Sequence, residues 1–215
     1  MFRDRKEAGG KLADALREHV GGKTLVLALP RGGVPVAFEI ARMLDAPLDT
    51  IVARKIGSPD NPEYALGAIA PGDIVVLDVP PAYRDEHGAG RREGLERIIR
   101  DEEQEMQRRV EKYKSGSYSR GVEPQTVIVV DDGIATGKTA RAALTAARAS
   151  YREAKLVFAA PVGAPDAIDE LRNYTDEVFC LYAPPEFSAV GEWYKHFDQT
   201  TDEEVTGLLE RAARL

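Results

Sequence analysis

A chain of 215 residues that is 43% hydrophobic, 30% charged and 7% aromatic can bury a sizeable core, which excludes a disordered or fibrous protein. Its 29 Lys and Arg against 36 Asp and Glu give a net charge of −7, the wrong sign for nucleic acid as a main partner. A small anionic ligand stays open, because a few oriented amides and cations hold phosphate inside an acidic protein.

The charged start, Met1 to Glu7, has no signal-peptide run, and no stretch reaches the ~18 apolar residues of a membrane span, so the expectation is a cytoplasmic protein without a membrane partner. A helix is predicted over Leu12 to Val20, a strand over Thr24 to Leu29, a helix over Val34 to Leu44, and strands over Leu48 to Ala53 and Ile74 to Asp78. Between the last two, Ile56 to Gly67 is rich in Gly, Pro and Asn and reads as a mobile loop. Residues Pro80 to Gly121 read as a helical insertion in which Leu95, Ile98, Ile99, Met106, Val110 and Tyr113 recur at helical spacing, its charge run being a solvated face and Ser115 to Ser119 a flexible stretch. A strand at Thr126 to Val130, a helix at Lys138 to Tyr151, a strand at Lys155 to Ala160, a helix at Pro165 to Asn173, a strand at Glu177 to Leu181 and a helix at Asp202 to Arg214 complete the chain. Pro184 to Gln199, with Phe187, Trp193, Tyr194 and Phe197, reads as a small aromatic cap. Most strands are apolar without alternation, as strands covered on both faces are. The expected architecture is a single α/β domain over 1–215, a doubly wound, mainly parallel sheet flanked by helices, with the insertion at 80–121 and the cap at 184–199. Cys180, the lone cysteine, excludes an internal disulfide and reads as a small buried hydrophobe. His19 and His87 sit in polar surroundings and read as exposed, and the three histidines show no metal spacing.

The stretch from Val127 to Ala140 runs from an apolar strand through Asp131 and Asp132 into a turn of small residues and then a helix. Gly137-Lys138-Thr139 suggests a nucleotide triphosphatase, but Asp132 stands where a P-loop needs glycine. Ala135, Thr136, Gly137, Lys138 and Thr139 instead form a phosphate cradle at a helix start. A cation there opposes the helix dipole by about 0.3–1 kcal/mol unless an anion joins it, so Lys138 faces either a bound phosphate or a carboxylate such as Asp132. Paired carboxylates at a strand's carboxyl end need hydroxyl donors or a cation to answer them, and a sugar with vicinal hydroxyls supplies the former. Two acids followed by a phosphate cradle describe a ribose 5-phosphate site.

At these residues the chain resembles the type I phosphoribosyltransferases, whose 5-phosphoribosyl-1-pyrophosphate (PRPP) motif is an apolar strand, an acidic pair and a Thr-Gly-x-Thr loop. Asp131-Asp132 and Thr136-Gly137-Lys138-Thr139 match it. Leu29-Pro30-Arg31-Gly32-Gly33-Val34-Pro35 resembles the family's pyrophosphate loop, a turn that often holds a cis peptide; on its own it also reads as an ordinary strand-to-helix turn. Arg54 and Lys55 stand where the family places a basic pair, with a flexible hood after them, although Lys55 also reads as a surface residue. The Leu29–Pro35, Arg54–Gly57 and Ala189–Tyr194 stretches resemble one group within that family.

The resemblance implies transfer of the phosphoribosyl group of PRPP to a nitrogenous, nucleobase-like acceptor with loss of pyrophosphate, in nucleotide metabolism, with Mg2+ held through substrate and water, in a homodimer. Asp131 and Asp132 then hold the ribose, Ala135 to Thr139 the 5-phosphate, and Arg31, Gly32, Gly33, Arg54 and Lys55 the pyrophosphate; Asp131, Asp132, Arg31 and Lys55 are the catalytic candidates. Trp193 is a candidate platform for the acceptor, or part of the cap's own core. The rival readings are a PRPP or nucleotide sensor without turnover and a ribose-phosphate hydrolase.

Overall fold

The computed structural model describes residues 1–62, 64–78, 80, 89–114 and 123–215, the side chains of 89–91 and 114 excepted. The elements are α1 (Arg5–Leu16), β1 (Thr24–Ala28), α2 (Gly33–Leu44), β2 (Leu48–Thr50), β3 (Arg54–Gly57), β4 (Ala65–Ala70), β5 (Ile74–Leu77), α3 (Ala89–Lys114), β6 (Thr126–Val130), α4 (Lys138–Ser150), β7 (Lys155–Val162), α5 (Pro165–Leu171), β8 (Glu177–Tyr182) and α6 (Asp202–Ala212). Five strands form a parallel sheet in the order β2-β1-β6-β7-β8.

Alternate residues of these strands serve two cores, because successive side chains point to opposite faces. On β6, Ile128 and Val130 join an apolar cluster with Leu12 and Leu16 of α1 and Val36 and Ile40 of α2. Val127 and Val129 join the opposite cluster with Leu144 and Ala147 of α4. A strand buried on both faces needs no polar alternation, which is why TVIVV is uniformly apolar. The chain runs outward from β1 to β2 and, starting again at β6, outward the other way to β8. The order therefore reverses between β1 and β6, and a crevice opens beyond the carboxyl ends of those two strands.

Three expectations are corrected. Ile74 to Asp78 does not extend the parallel sheet: β5 pairs antiparallel with β4, and β4 with β3, in a separate three-stranded sheet. Gly72 and Asp73, with φ of +87° and +58°, turn the chain between β4 and β5. The two ends of the segment read as a mobile loop, Ile56 to Gly57 and Ala65 to Gly67, belong to this sheet, whose strand β4 is buried throughout. The first helix begins at Arg5 rather than Leu12, since the Asp4 carboxylate accepts a hydrogen bond from the Glu7 amide (2.7 Å) and caps it.

The helix of the 80–121 segment is α3, which packs on β3 and α6; residues 81–88, with His87, and 115–122 lie outside the described residues. Tyr113 of α3 is fully buried and donates a hydrogen bond to Asp202 of α6 (2.7 Å). In the 184–199 segment, Tyr194 packs with Phe2 beneath a half-buried layer of Phe187, Trp193 and Phe197. The Phe2 amide donates to the Trp193 carbonyl (2.7 Å), tying the start of the chain to the cap segment. Cys180 is half-buried, and burial pushes its thiol up to about 11. His19 is exposed beside Glu177 (3.4 Å). Among the described residues, no helix is long and apolar enough to cross a membrane.

Candidate active site

The crevice at the switch between β1 and β6 brings the first two sequence motifs together. Gly33 N–H closes the Leu29–Gly33 turn on the Leu29 carbonyl (3.0 Å), and the Pro30–Arg31 peptide is cis, as the resemblance implies for a pyrophosphate loop. This turn lies directly against the acidic pair: a Cβ on Gly33 would stand 2.6 Å from the Val130 carbonyl oxygen and 3.0 Å from Asp131 Cα, and one on Gly32 would overlap the Asp132 carboxylate. At Gly33 the obstacle is backbone, and a larger residue there would force the turn away from β6; at Gly32 it is the Asp132 side chain.

Asp131 and Asp132 follow β6. Asp131 accepts a hydrogen bond from the Asp132 amide (2.8 Å). Burial, and then the neighbouring charge of Asp132, push its carboxyl well above the usual carboxylate range. The pair thus resists carrying two negative charges. Asp132 is held from outside the motif: Arg5, in the first turn of α1, donates through Nε to its Oδ2 (2.8 Å), and the Tyr194 hydroxyl donates to its backbone carbonyl (2.5 Å). Arg5 is fixed in turn by the Asp198 carbonyl (2.7 Å) and by the Phe197 ring, whose centre lies 3.9 Å from the guanidinium carbon.

Two cavities flank the acids. The first, about 170 Å³, is lined by Asp131, Gly133, Ile134, Ala135, Thr136, Gly137, Thr139, Ala140 and, from the cap, Val190. Gly137 takes φ +69° to start α4, which the absence of a Cβ permits. Among the described residues, no protein group accepts from the amides of Ala135 to Thr139. Their donors and the positive end of α4 make an anion cradle beside a carboxyl group. The second cavity, about 490 Å³, is lined by Arg5, Arg31, Gly32, Arg54, Arg109, Asp132, Phe197, Gln199 and Thr200.

Three sequence candidates stand elsewhere. Lys138 does not meet Asp132: its Nζ donates to the Ala65 carbonyl (2.5 Å) and lies 5.8 Å from the centre of the Tyr64 ring. A carbonyl dipole and a ring face thus take up the charge, and Lys138 joins α4 to β4. Arg54 reaches the larger cavity, but Lys55 does not line it: the two are neighbours on strand β3, where successive side chains diverge, and Lys55 is exposed. Trp193 stacks on Tyr182 (6.1 Å between ring centres) in the cap's own cluster and lines neither cavity.

Sequence reasoning missed Arg5, Arg109 and the carboxylates that hold the cavity's arginines. Glu102 of α3 accepts from Arg54 Nε (2.6 Å), and Glu105 from Arg109 Nε (2.8 Å), while Asp202 lies 3.7 Å from Arg31. Hydrogen bonds from Arg108 and Arg109 hold the Glu105 carboxyl down at about 2. Those from Lys112 and Tyr113 hold Asp202 below its usual range.

The model of the phosphoribosyl transferase domain matches residues 3–195. The chain belongs to this family. Two Mycobacterium tuberculosis proteins, "Putative phosphoribosyl transferase MT0597" of strain CDC 1551 and "Putative phosphoribosyl transferase Rv0571c" of strain H37Rv, are each 44% identical to this phosphoribosyl transferase domain over 216 residues, covering 100% of it and 47% of their own length. The domain therefore spans about half the length of these relatives. The crystal structure of TT1426 from Thermus thermophilus superposes with a TM-score of 0.77 at 39% identity, covering 98% of each chain.

Proposed function

We propose that this domain transfers the 5-phosphoribosyl group of PRPP to a nitrogenous acceptor and releases pyrophosphate. The observation that carries the reading is that Asp131 lines the same small cavity as the open amide turn, so a ligand with hydroxyls at one end and a terminal phosphate at the other meets both. Ribose 5-phosphate has that shape. The bond from C1 to the pyrophosphate oxygen breaks as the acceptor nitrogen bonds to C1 from the opposite face, through an oxocarbenium-like transition state. The chain has little covalent work to do: Asp131 and Asp132 hold the ribose hydroxyls, the amides of residues 135–139 fix the 5-phosphate, and Arg31 and Arg54 answer the charge that grows on the leaving group. The carboxylates of Asp131 and Asp132 are oxygen donors of the kind Mg2+ takes, so an ion entering with PRPP would find one or two protein ligands there and complete its shell with water and substrate oxygens. Bound there, the ion would neutralise charge on the pyrophosphate.

Calorimetry with PRPP and Mg2+, followed by a pyrophosphate-release assay with and without acceptors, tests the reading. Binding together with acceptor-dependent release is expected. Release without any acceptor would identify a hydrolase, and tight binding with no release a sensor. Arg31→Ala is expected to weaken pyrophosphate binding at least about tenfold while changing ribose 5-phosphate affinity less than about twofold, since a hydrogen bond to a charged group contributes about 1.5–3 kcal/mol. Equal weakening of both ligands in calorimetry would remove Arg31 from the pyrophosphate site.

A further inference from the structure

Building on that reading, we infer that the acceptor carries its own negative charge, a carboxylate or phosphate, and that Arg109 is one of the residues that bind it. The larger cavity opens next to Asp132, and arginine is its commonest lining residue. Four arginines line it from four parts of the chain: Arg5 from α1, Arg31 from the turn after β1, Arg54 from β3 and Arg109 from α3. They are partly shielded, with side chains 12%, 27%, 25% and 17% exposed, so their charges are screened less than those of surface arginines. Pyrophosphate accounts for Arg31 and Arg54. Arg5 and Arg109 remain.

Among the described residues, the cavity offers little ring face on which a flat, neutral base could stack. Phe197 is its only aromatic lining residue among the described residues. Arg5 covers one side of that ring at 3.9 Å, and Tyr194 stacks on it at 5.0 Å. The other polar groups, from Gln199 and Thr200, suit hydrogen bonding rather than stacking.

Carboxylates position the guanidinium groups without using all their donors. Arg109 gives Nε to Glu105, and among the described residues its two terminal nitrogens make no hydrogen bond. Arg5 gives Nε to Asp132 and one terminal nitrogen to the Asp198 carbonyl, leaving the second without a partner among the described residues. A planar fork held by one edge and open at the other is suited to a carboxylate or a phosphate.

The test uses acids paired with neutral counterparts of the same ring: nicotinate with nicotinamide, anthranilate with anthranilamide, and orotate with uracil. Binding of each is measured by calorimetry to the protein saturated with pyrophosphate and Mg2+, and turnover is followed by pyrophosphate release from PRPP. PRPP affinity is measured separately on the same samples. At least one acid should bind about tenfold or more tightly than its neutral partner, and any turnover should follow the acids. Arg109→Ala should weaken that acid about tenfold, Arg109→Lys should recover part of the loss, and PRPP affinity should change less than about twofold in both variants. Equal binding of acids and neutral partners, failure of every acid to bind, or an Arg109→Ala loss equal for PRPP and acid would overturn the inference. If PRPP binds normally in that case, only the acceptor class falls; if PRPP does not bind, the transferase reading falls with it.

Discussion

The Asp131→Asn, Asp132→Asn double variant is expected to lose about a hundredfold in affinity for ribose 5-phosphate while keeping its fold. One hydrogen bond to a charged acceptor, at about 1.5–3 kcal/mol, and one to a buried carboxyl group, at about 0.5–1.5 kcal/mol, set that scale. The fold should survive because asparagine has nearly the shape of aspartate, and the side-chain oxygen of the introduced amide can still accept from the backbone N–H of residue 132. Stability should even respond in the opposite sense to binding in the single Asp131→Asn variant. The Asp131 carboxyl titrates well above its ordinary 3.8 in the folded chain. The folded state therefore keeps a proton that the unfolded chain gives up. Stability falls as pH rises from about the unfolded value towards the raised folded value, and above both the penalty is complete. The introduced asparagine does not titrate, so the variant should lose this fall and melt higher than the parent at neutral pH. Calorimetric titration with ribose 5-phosphate and melting curves from about pH 4 to 8 check both halves; unchanged affinity would remove the acids from the sugar site.

Gly33→Ala should damage both stability and binding. The added Cβ would stand 2.6 Å from the Val130 carbonyl and 3.0 Å from Asp131 Cα, both backbone atoms at the end of β6 that cannot turn aside as a side chain can. The start of α2 must then move away from the acidic pair. Overpacking of this kind costs about 1–3 kcal/mol. A shift of about 1 Å between the pyrophosphate turn and the acids should cost about a hundredfold in activity or PRPP binding. Gly10→Ala is the control: Gly10 lies on α1, and a Cβ there meets nothing within 4 Å, so helix propensity should leave that variant as stable as the parent or slightly more so. Chemical denaturation and PRPP calorimetry on the two variants separate the effects, and equal behaviour of the two would mean that the turn and the acids do not depend on contact.

The parts of this molecule that are legible in its sequence are those whose physics is local. TVIVV reads as a strand covered on both faces, and the turn from Asp131 to Thr139 reads as acids followed by a helix start, because each signal lies within a dozen consecutive residues. β4 escapes such a reading because Ala65-Leu-Gly-Ala-Ile-Ala70 has little β-branched content and follows a run of turn residues. Its hairpin signal, Pro71-Gly72-Asp73 between two apolar runs, is nevertheless present. The start of α1 is likewise signalled by Asp4 and Glu7 at capping spacing. The larger cavity has no such signal. Arg5 meets Asp132 across 127 positions, and Arg54 meets Glu102 across 48, and no local pattern links residues that far apart. Lys138 and Lys55 mislead for a related reason: sequence places each near the site, but the direction of a side chain depends on neighbours, here the Ala65 carbonyl for Lys138 and the alternation of β3 for Lys55.

A crystal structure of the protein with bound ribose 5-phosphate tests the central claim most directly. The phosphate oxygens should lie within hydrogen-bonding reach of the amides of residues 135–139, with the 2- and 3-hydroxyls on the carboxylates of Asp131 and Asp132. A sugar phosphate bound elsewhere, with Asp132 still closed on Arg5 and the amide turn facing solvent, would contradict it.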